Sequence, residues 1–108
     1  GFGRHRSEDV YWKENPGFSP SFALYLRSEH PTIRAVGIDC ISISRWQDRP
    51  LGRDAHKAFL QSSGRNQPII LVEDMRLDGC PLTIERVLVA PLFVDQADGT
   101  PASVFAWT

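Results

Sequence analysis

Cysteine is scarce: 108 residues contain only Cys40 and Cys80. Two such distant residues form no CxxC metal or redox spacing and no disulfide framework. Cys40 lies in an apolar run and reads as a small buried hydrophobe, whereas Cys80, after Asp78-Gly79, reads as a turn residue. No apolar run approaches the roughly 18 residues of a spanning helix, and no signal-peptide pattern is present, so a cytoplasmic protein is expected. Charge of one sign is also missing. Twelve basic and 13 acidic residues leave a formal net charge of -1, which offers no field to hold a phosphate backbone. The one basic cluster, Arg4-His5-Arg6, is followed by Glu8 and Asp9 and reads as a solvated loop. Neither nucleic acid nor membrane is an expected partner. No repeat or low-complexity tract divides the chain, so 1–108 is read as a single domain.

What remains is ordinary globular material: 42% hydrophobic and 23% charged residues, enough for one modest core. Gly1 to Gly17 lacks periodicity and reads as an ordered loop. Ser19-Pro20 is a cap followed by proline at the first helical position, and Phe22, Leu24, Tyr25 and Leu26 supply an apolar stripe up to His30-Pro31. Ile33 to Ser44, rich in β-branched residues, predicts a strand. After a break at Trp46 to Pro50, Gly52 to Ser63 predicts a second helix. Pro68 to about Leu77 predicts a second strand that ends at Asp78-Gly79. Arg86 to Ala90 predicts a third, extended through Leu92 to Val94, with a turn at Asp98 to Pro101 and a last strand from Ser103 to Trp107. The expected fold is mixed α/β (α+β), with helices packed on a mixed sheet.

Three residues stand out chemically. Alternation along 69–77 places Glu73 in a row with Ile69, Leu71, Met75 and Leu77, and places Ile70, Val72, Asp74 and Arg76 on the other face. A carboxylate in an apolar row needs a cation, a metal or hydrogen-bond donors. Arg34, Arg53 and Arg76 are candidate partners. On the second helix, positions 52, 56, 59, 60 and 63 share a side, so His56 faces the core or a pocket beside Phe59 and Leu60. His56 and Glu73 could meet as two metal ligands or as an acid/base pair; alternatively, His56 is a core-edge histidine bonded to a backbone carbonyl. Asp39, aligned with Gly37, Ile41 and Ile43, is a further inward carboxylate or a strand-end acceptor. His5 and His30 are placed at the surface.

The strings Ala35-Val36-Gly37-Ile38-Asp39, Gly52-Arg53-Asp54-Ala55-His56-Lys57-Ala58-Phe59-Leu60, Ile70-Leu71-Val72-Glu73-Asp74-Met75, Val89-Ala90-Pro91-Leu92 and Ala97-Asp98-Gly99-Thr100-Pro101-Ala102 follow one another through nearly the whole chain. In this order they resemble the cyclase family that includes bacterial kynurenine formamidases and isatin hydrolases. The resemblance implies part of a swivelling β/β/α domain, usually dimeric, and a zinc or manganese ion that activates water against an amide or related carbonyl. It assigns His56 and Glu73 to the family's late metal-site histidine and glutamate, with 64–68 as a loop insertion between them. The family's early His-x-Gly-Thr-His-x-Asp-x-Pro-x-His motif has no counterpart in this chain. The expectation is therefore a C-terminal, truncated cyclase-like domain with two ligands and no independent hydrolase activity, which self-associates to cover exposed edges. The alternative is a metal-dependent amide hydrolase whose site is completed across a subunit interface by Asp39 or His5 of another copy, or by a partner chain carrying the missing motif.

Overall fold

The computed structural model describes residues 1–62 and 67–108. Its elements are a 3-10 turn at Phe2–His5, then α1 (Val10–Lys13), α2 (Pro20–Glu29), β1 (Ala35–Gly37), α3 (Arg49–Leu60), β2 (Ile70–Val72), β3 (Arg86–Pro91) and β4 (Ala102–Trp107). The class is mixed α/β. In place of one mixed sheet, the described residues form two two-stranded sheets, one parallel (β1 with β2) and one antiparallel (β3 with β4). Residues 1–78 and 79–108 form separate compact units.

In the first unit, β1, α3 and β2 form a βαβ crossover in which Ala35, Val36 and Gly37 pair with Ile70, Leu71 and Val72. Helix α2 begins as its sequence dictates: Ser19 caps it by accepting from the Phe22 N–H, and proline occupies the first turn. Its buried face differs from the apolar stripe read in the sequence. Ala23, Leu26 and Arg27 are buried, whereas Phe22, Leu24 and Tyr25 are exposed. At 100° per residue, 23, 26 and 27 fall on one side, 22 lies at its edge one turn before 26, and 24 and 25 turn away from it. Arg27 reaches inward and donates from Nη1 to the Ala58 carbonyl at 2.6 Å, which ties α2 to α3.

Helix α3 starts three residues before the predicted Gly52. Asp48 accepts from the Leu51 N–H and Pro50 sits in the first turn, so the residues read as a break are the helix start. It ends at Leu60, before the predicted Ser63; positions 63–66, including Ser63 and part of the presumed insertion at 64–68, lie outside the described residues. The buried positions are Gly52, Ala55 and Phe59, while Leu60 is exposed. With Ala23, Leu26, Ile43 and Ile69, Ala55 and Phe59 make the core, against which Phe18, Val36, Ile38 and Leu71 pack.

Both predicted strands of this unit are shorter than their composition suggests. After Gly37 the chain leaves the strand, so Asp39, Ile41 and Ile43 do not share a strand face; β2 likewise stops at Val72. The reason is visible in the hydrogen bonds. Beyond Val72 the chain turns, with Asp74 at φ 56°, and its N–H groups find carbonyls of the turn after β1: Asp74 to Cys40 at 2.7 Å and Met75 to Ile38 at 2.9 Å. The alternation of 73–77 across a strand therefore does not exist.

The second unit is a hairpin in register from Arg86 with Trp107 to Pro91 with Ala102. The Arg86 guanidinium lies 5.2 Å from the Trp107 ring centre. The expected extension through Leu92–Val94 reduces to one bond, Leu92 N–H to the Pro101 carbonyl at 2.9 Å. The chain then turns at 94–97, with Gln96 at φ 59°.

Phe59 is fully buried, with its ring centre 6.2 Å from that of Phe18. Truncation of such a ring removes its transfer energy and leaves a cavity. Phe59→Ala is expected to lower unfolding free energy by about 3–5 kcal/mol, measured by urea denaturation, whereas Leu60→Ala, on the exposed side, should change it by less than about 1 kcal/mol.

Candidate functional site

The turn 42–44 is where the candidate residues come together. Asn15, 2% exposed, anchors it: its Nδ2 donates toward the carbonyls of Ser44 (2.7 Å), Ser42 (3.1 Å) and Pro16 (3.2 Å). Ile43, between the two gripped carbonyls, buries its side chain in the core while its N–H points outward to Glu73 Oε1 at 2.7 Å. The Ser42 hydroxyl donates to the same oxygen at 3.0 Å. Glu73 is thus held by two donors of the turn and not by Arg34, Arg53 or Arg76.

His56 arrives from α3. Its Nδ1 lies 2.9 Å from the Gly52 carbonyl, one helical turn back, and 3.1 Å from Ser44 Oγ. A carbonyl only accepts, so Nδ1 carries the hydrogen and Nε2 is left to face Glu73 Oε1 at 3.3 Å. The backbone-carbonyl contact and the meeting with Glu73 thus coexist. Both side chains stay about 30% exposed (31% and 29%), so the pair is reachable from solvent.

Helix α3 can approach the turn only because residue 52 is glycine. A Cβ there would stand 2.4 Å from Ser44 Oγ and 3.0 Å from Ser44 Cα. Since backbone as well as a hydroxyl is in the way, a side chain would push the helix, and with it His56, off the turn.

The arrangement fits a divalent ion in part. Two ligands about 2.1 Å from a tetrahedral zinc stand roughly 3.4 Å apart, close to the observed 3.3 Å. A metal-bound imidazole typically donates its other N–H to a carbonyl or carboxylate, as Nδ1 does to Gly52. Among the described residues, however, no group of three or more His, Cys, Asp or Glu side chains could hold a metal. Asp39 is committed elsewhere: it accepts from the Gly3 N–H at 3.0 Å, which together with the Phe2 N–H holds its carboxyl below the usual range despite burial. His5 pairs with Glu8 at 3.2 Å.

Beside the pair opens a cavity of about 590 Å³, walled by Trp12, Ile41 and Trp46 and reaching Ser42, Ser44 and His56. The indoles of Trp12 and Trp46 meet edge to face at 5.5 Å.

Arg6, read as part of a solvated loop, instead clamps the chain just after Glu73. Its Nη2 donates to Asp74 Oδ1 (2.7 Å), the Asp74 carbonyl (3.0 Å) and the Met75 carbonyl (3.2 Å). The Tyr11 hydroxyl donates to the same carboxylate oxygen. These donors, Tyr11 first and Arg6 second, hold the Asp74 carboxyl below the ordinary range. Burial and the anionic Asp74 push Tyr11 up to about 12. No sequence periodicity announces such a clamp, because its members lie 63 and 68 positions apart.

No protein-family model, characterised protein or solved structure matches this chain. No helix among the described residues is long and apolar enough to cross a membrane.

Two outcomes follow for the scaffold. Asn15→Ala should cost about 1–3 kcal/mol by leaving the carbonyls of Ser42 and Ser44 without their donor, and Asn15→Asp should cost more, because it sets an acceptor against acceptors; urea denaturation at neutral pH compares them. The Asp74 contribution carries a sign. With its folded value depressed, it stabilises above the ordinary 3.8 and is lost as pH falls through that value toward the depressed one. Asp74→Asn should therefore be less stable than the parent at pH 6, with the gap closing below about pH 4, followed by thermal melts across pH.

Proposed function

We propose that this chain is part of a cyclase-type, arylformamidase-like metal hydrolase, a portion that carries the late histidine and glutamate of the metal centre. The resemblance of the segments around His56 and Glu73 to that family motivates this reading. The observation that carries it is the meeting of His56 Nε2 with Glu73 Oε1 at 3.3 Å, with Nδ1 committed to the Gly52 carbonyl. The swivelling β/β/α architecture belongs to the same proposal.

A bound zinc or manganese ion supplies acidification of a water molecule and polarisation of a carbonyl. The contribution of this chain is limited to presentation: Gly52 fixes the imidazole tautomer, and Ser42 and Ile43 aim the carboxylate. A catalytic zinc takes about three protein ligands and keeps a position for water. With two, the chain alone binds metal weakly and has negligible hydrolase activity.

Self-association is the second part of the reading. In the hairpin unit, Val87, Leu88, Leu92, Phe93, Phe105 and Trp107 are all at least 45% exposed. A lone two-stranded hairpin is marginal in water, and cover from another copy relieves it. A site completed between copies, or by a chain bearing the missing histidine motif, makes the pair part of a working amide hydrolase. The roughly 30% exposure of both side chains favours that variant, since an incoming ligand has access.

Elemental analysis of untagged protein purified without chelator tests the metal reading. Isolated chain should hold zinc or manganese well below one per chain, and added zinc should bind weakly in a His56-dependent way. Zinc binding unchanged in both His56→Ala and Glu73→Gln would sink the reading, as would the absence of any binding at millimolar zinc. Light scattering at micromolar concentration reads association; a strict monomer argues against the second part.

A further inference from the structure

Three arginines line the cavity beside His56. Arg45 follows the Ser42–Ser44 turn, and Arg49 and Arg53 lie one turn apart on α3. Among the described residues, none of the three is paired with a carboxylate. Arg49 already stacks over Trp46, 5.1 Å from its ring centre, which limits its freedom beside one of the indoles that wall the cavity. Among the described residues no acidic side chain lines the cavity; Glu73 is engaged by Ser42, Ile43 and His56.

The remaining wall is apolar. Trp12 and Trp46 meet at 89° and, with Ile41, form an angled surface onto which a flat body can lie. About 590 Å³ lies within the range of small-molecule sites and holds a bicyclic ring system. A strongly hydrated polyanion leaves the indoles unused, and a neutral hydrocarbon leaves the guanidiniums unused. We propose that this cavity binds a small aromatic carboxylate, its ring against Trp12 and Trp46 and its carboxylate facing Arg45, Arg49 and Arg53. Planar guanidinium forks match a carboxylate with two parallel hydrogen bonds. The assignment goes beyond the metal reading and does not need a metal.

Titration calorimetry of the whole chain in chelator and low salt tests it, with indole-3-carboxylate as probe and neutral indole and inorganic phosphate as comparators. The carboxylate is expected to bind about tenfold tighter than indole and tighter than phosphate. Arg49→Gln/Arg53→Gln should bring its affinity down to that of indole, and Trp46→Ala should weaken carboxylate and indole together. Because unaltered protein is compared across three ligands, the test does not hinge on any variant folding. Equal affinity for indole and its carboxylate, tighter binding of phosphate, or no saturation at millimolar probe overturns the proposal. Chelator separates the outcomes: loss here leaves the metal reading standing, and failure of zinc to bind leaves this one standing.

Discussion

The grip of one buried amide on three carbonyls organises the first unit. Asn15 is nearly inaccessible, and its Nδ2 holds the backbone on both sides of Ile43. With the carbonyls of Ser42 and Ser44 drawn toward Asn15, the Ile43 N–H is presented to Glu73 while its side chain enters the core beside Phe59. Packing and site geometry therefore share one short segment. A perturbation of the turn is felt by the core and by the carboxylate at once, which is the usual behaviour of a dense interior with no slack.

A second set of contacts fixes the other side of Glu73. The residue after it adopts the left-handed region at φ 56°, which an aspartate tolerates better than most residues. Its N–H goes to the Cys40 carbonyl, and its carboxylate takes donors from Arg6 and Tyr11. Glu73 thus lies between a strand held by β1 and a turn held by the N-terminal segment. Its direction is set by backbone on both sides, with little left to rotamer choice.

The legible parts of the sequence were those governed by local rules. Ser19-Pro20 starts a helix as a cap with proline behind it, and the last strand occupies nearly the residues that alternation and the Asp98–Pro101 turn predict. The sequence raised a meeting of His56 and Glu73, and they do meet, but Glu73 stands past the end of β2 and not in an apolar strand row. What local rules missed were long-range substitutions for ladder bonds. β-Branched residues at 38–44 suggested a strand, but Ile43 gives its N–H to a side chain and the Cys40 carbonyl serves the turn after β2. Asn15 looked like a loop residue and Arg6 like a solvated cation, because nothing nearby in sequence reveals the carbonyls that each one meets.

The gap between His56 and Glu73 sets the chemistry open to the pair. Since Nδ1–H is committed to the Gly52 carbonyl, a neutral imidazole presents a lone pair at Nε2 to a carboxylate oxygen 3.3 Å away. Two acceptors at that distance form no hydrogen bond with each other, so the gap between them suits a donor or a cation. His56 from α3 and the Ser42 and Ile43 donors of the turn thus converge on one Glu73 oxygen just past the end of β2. A divalent ion would take the same two atoms, Nε2 and Oε1, as ligands. An ion held by only two side chains gains little, so further ligands would have to come from outside these two residues. What the pair can do chemically is therefore decided at its partly exposed edge, where both side chains remain open to an approaching group.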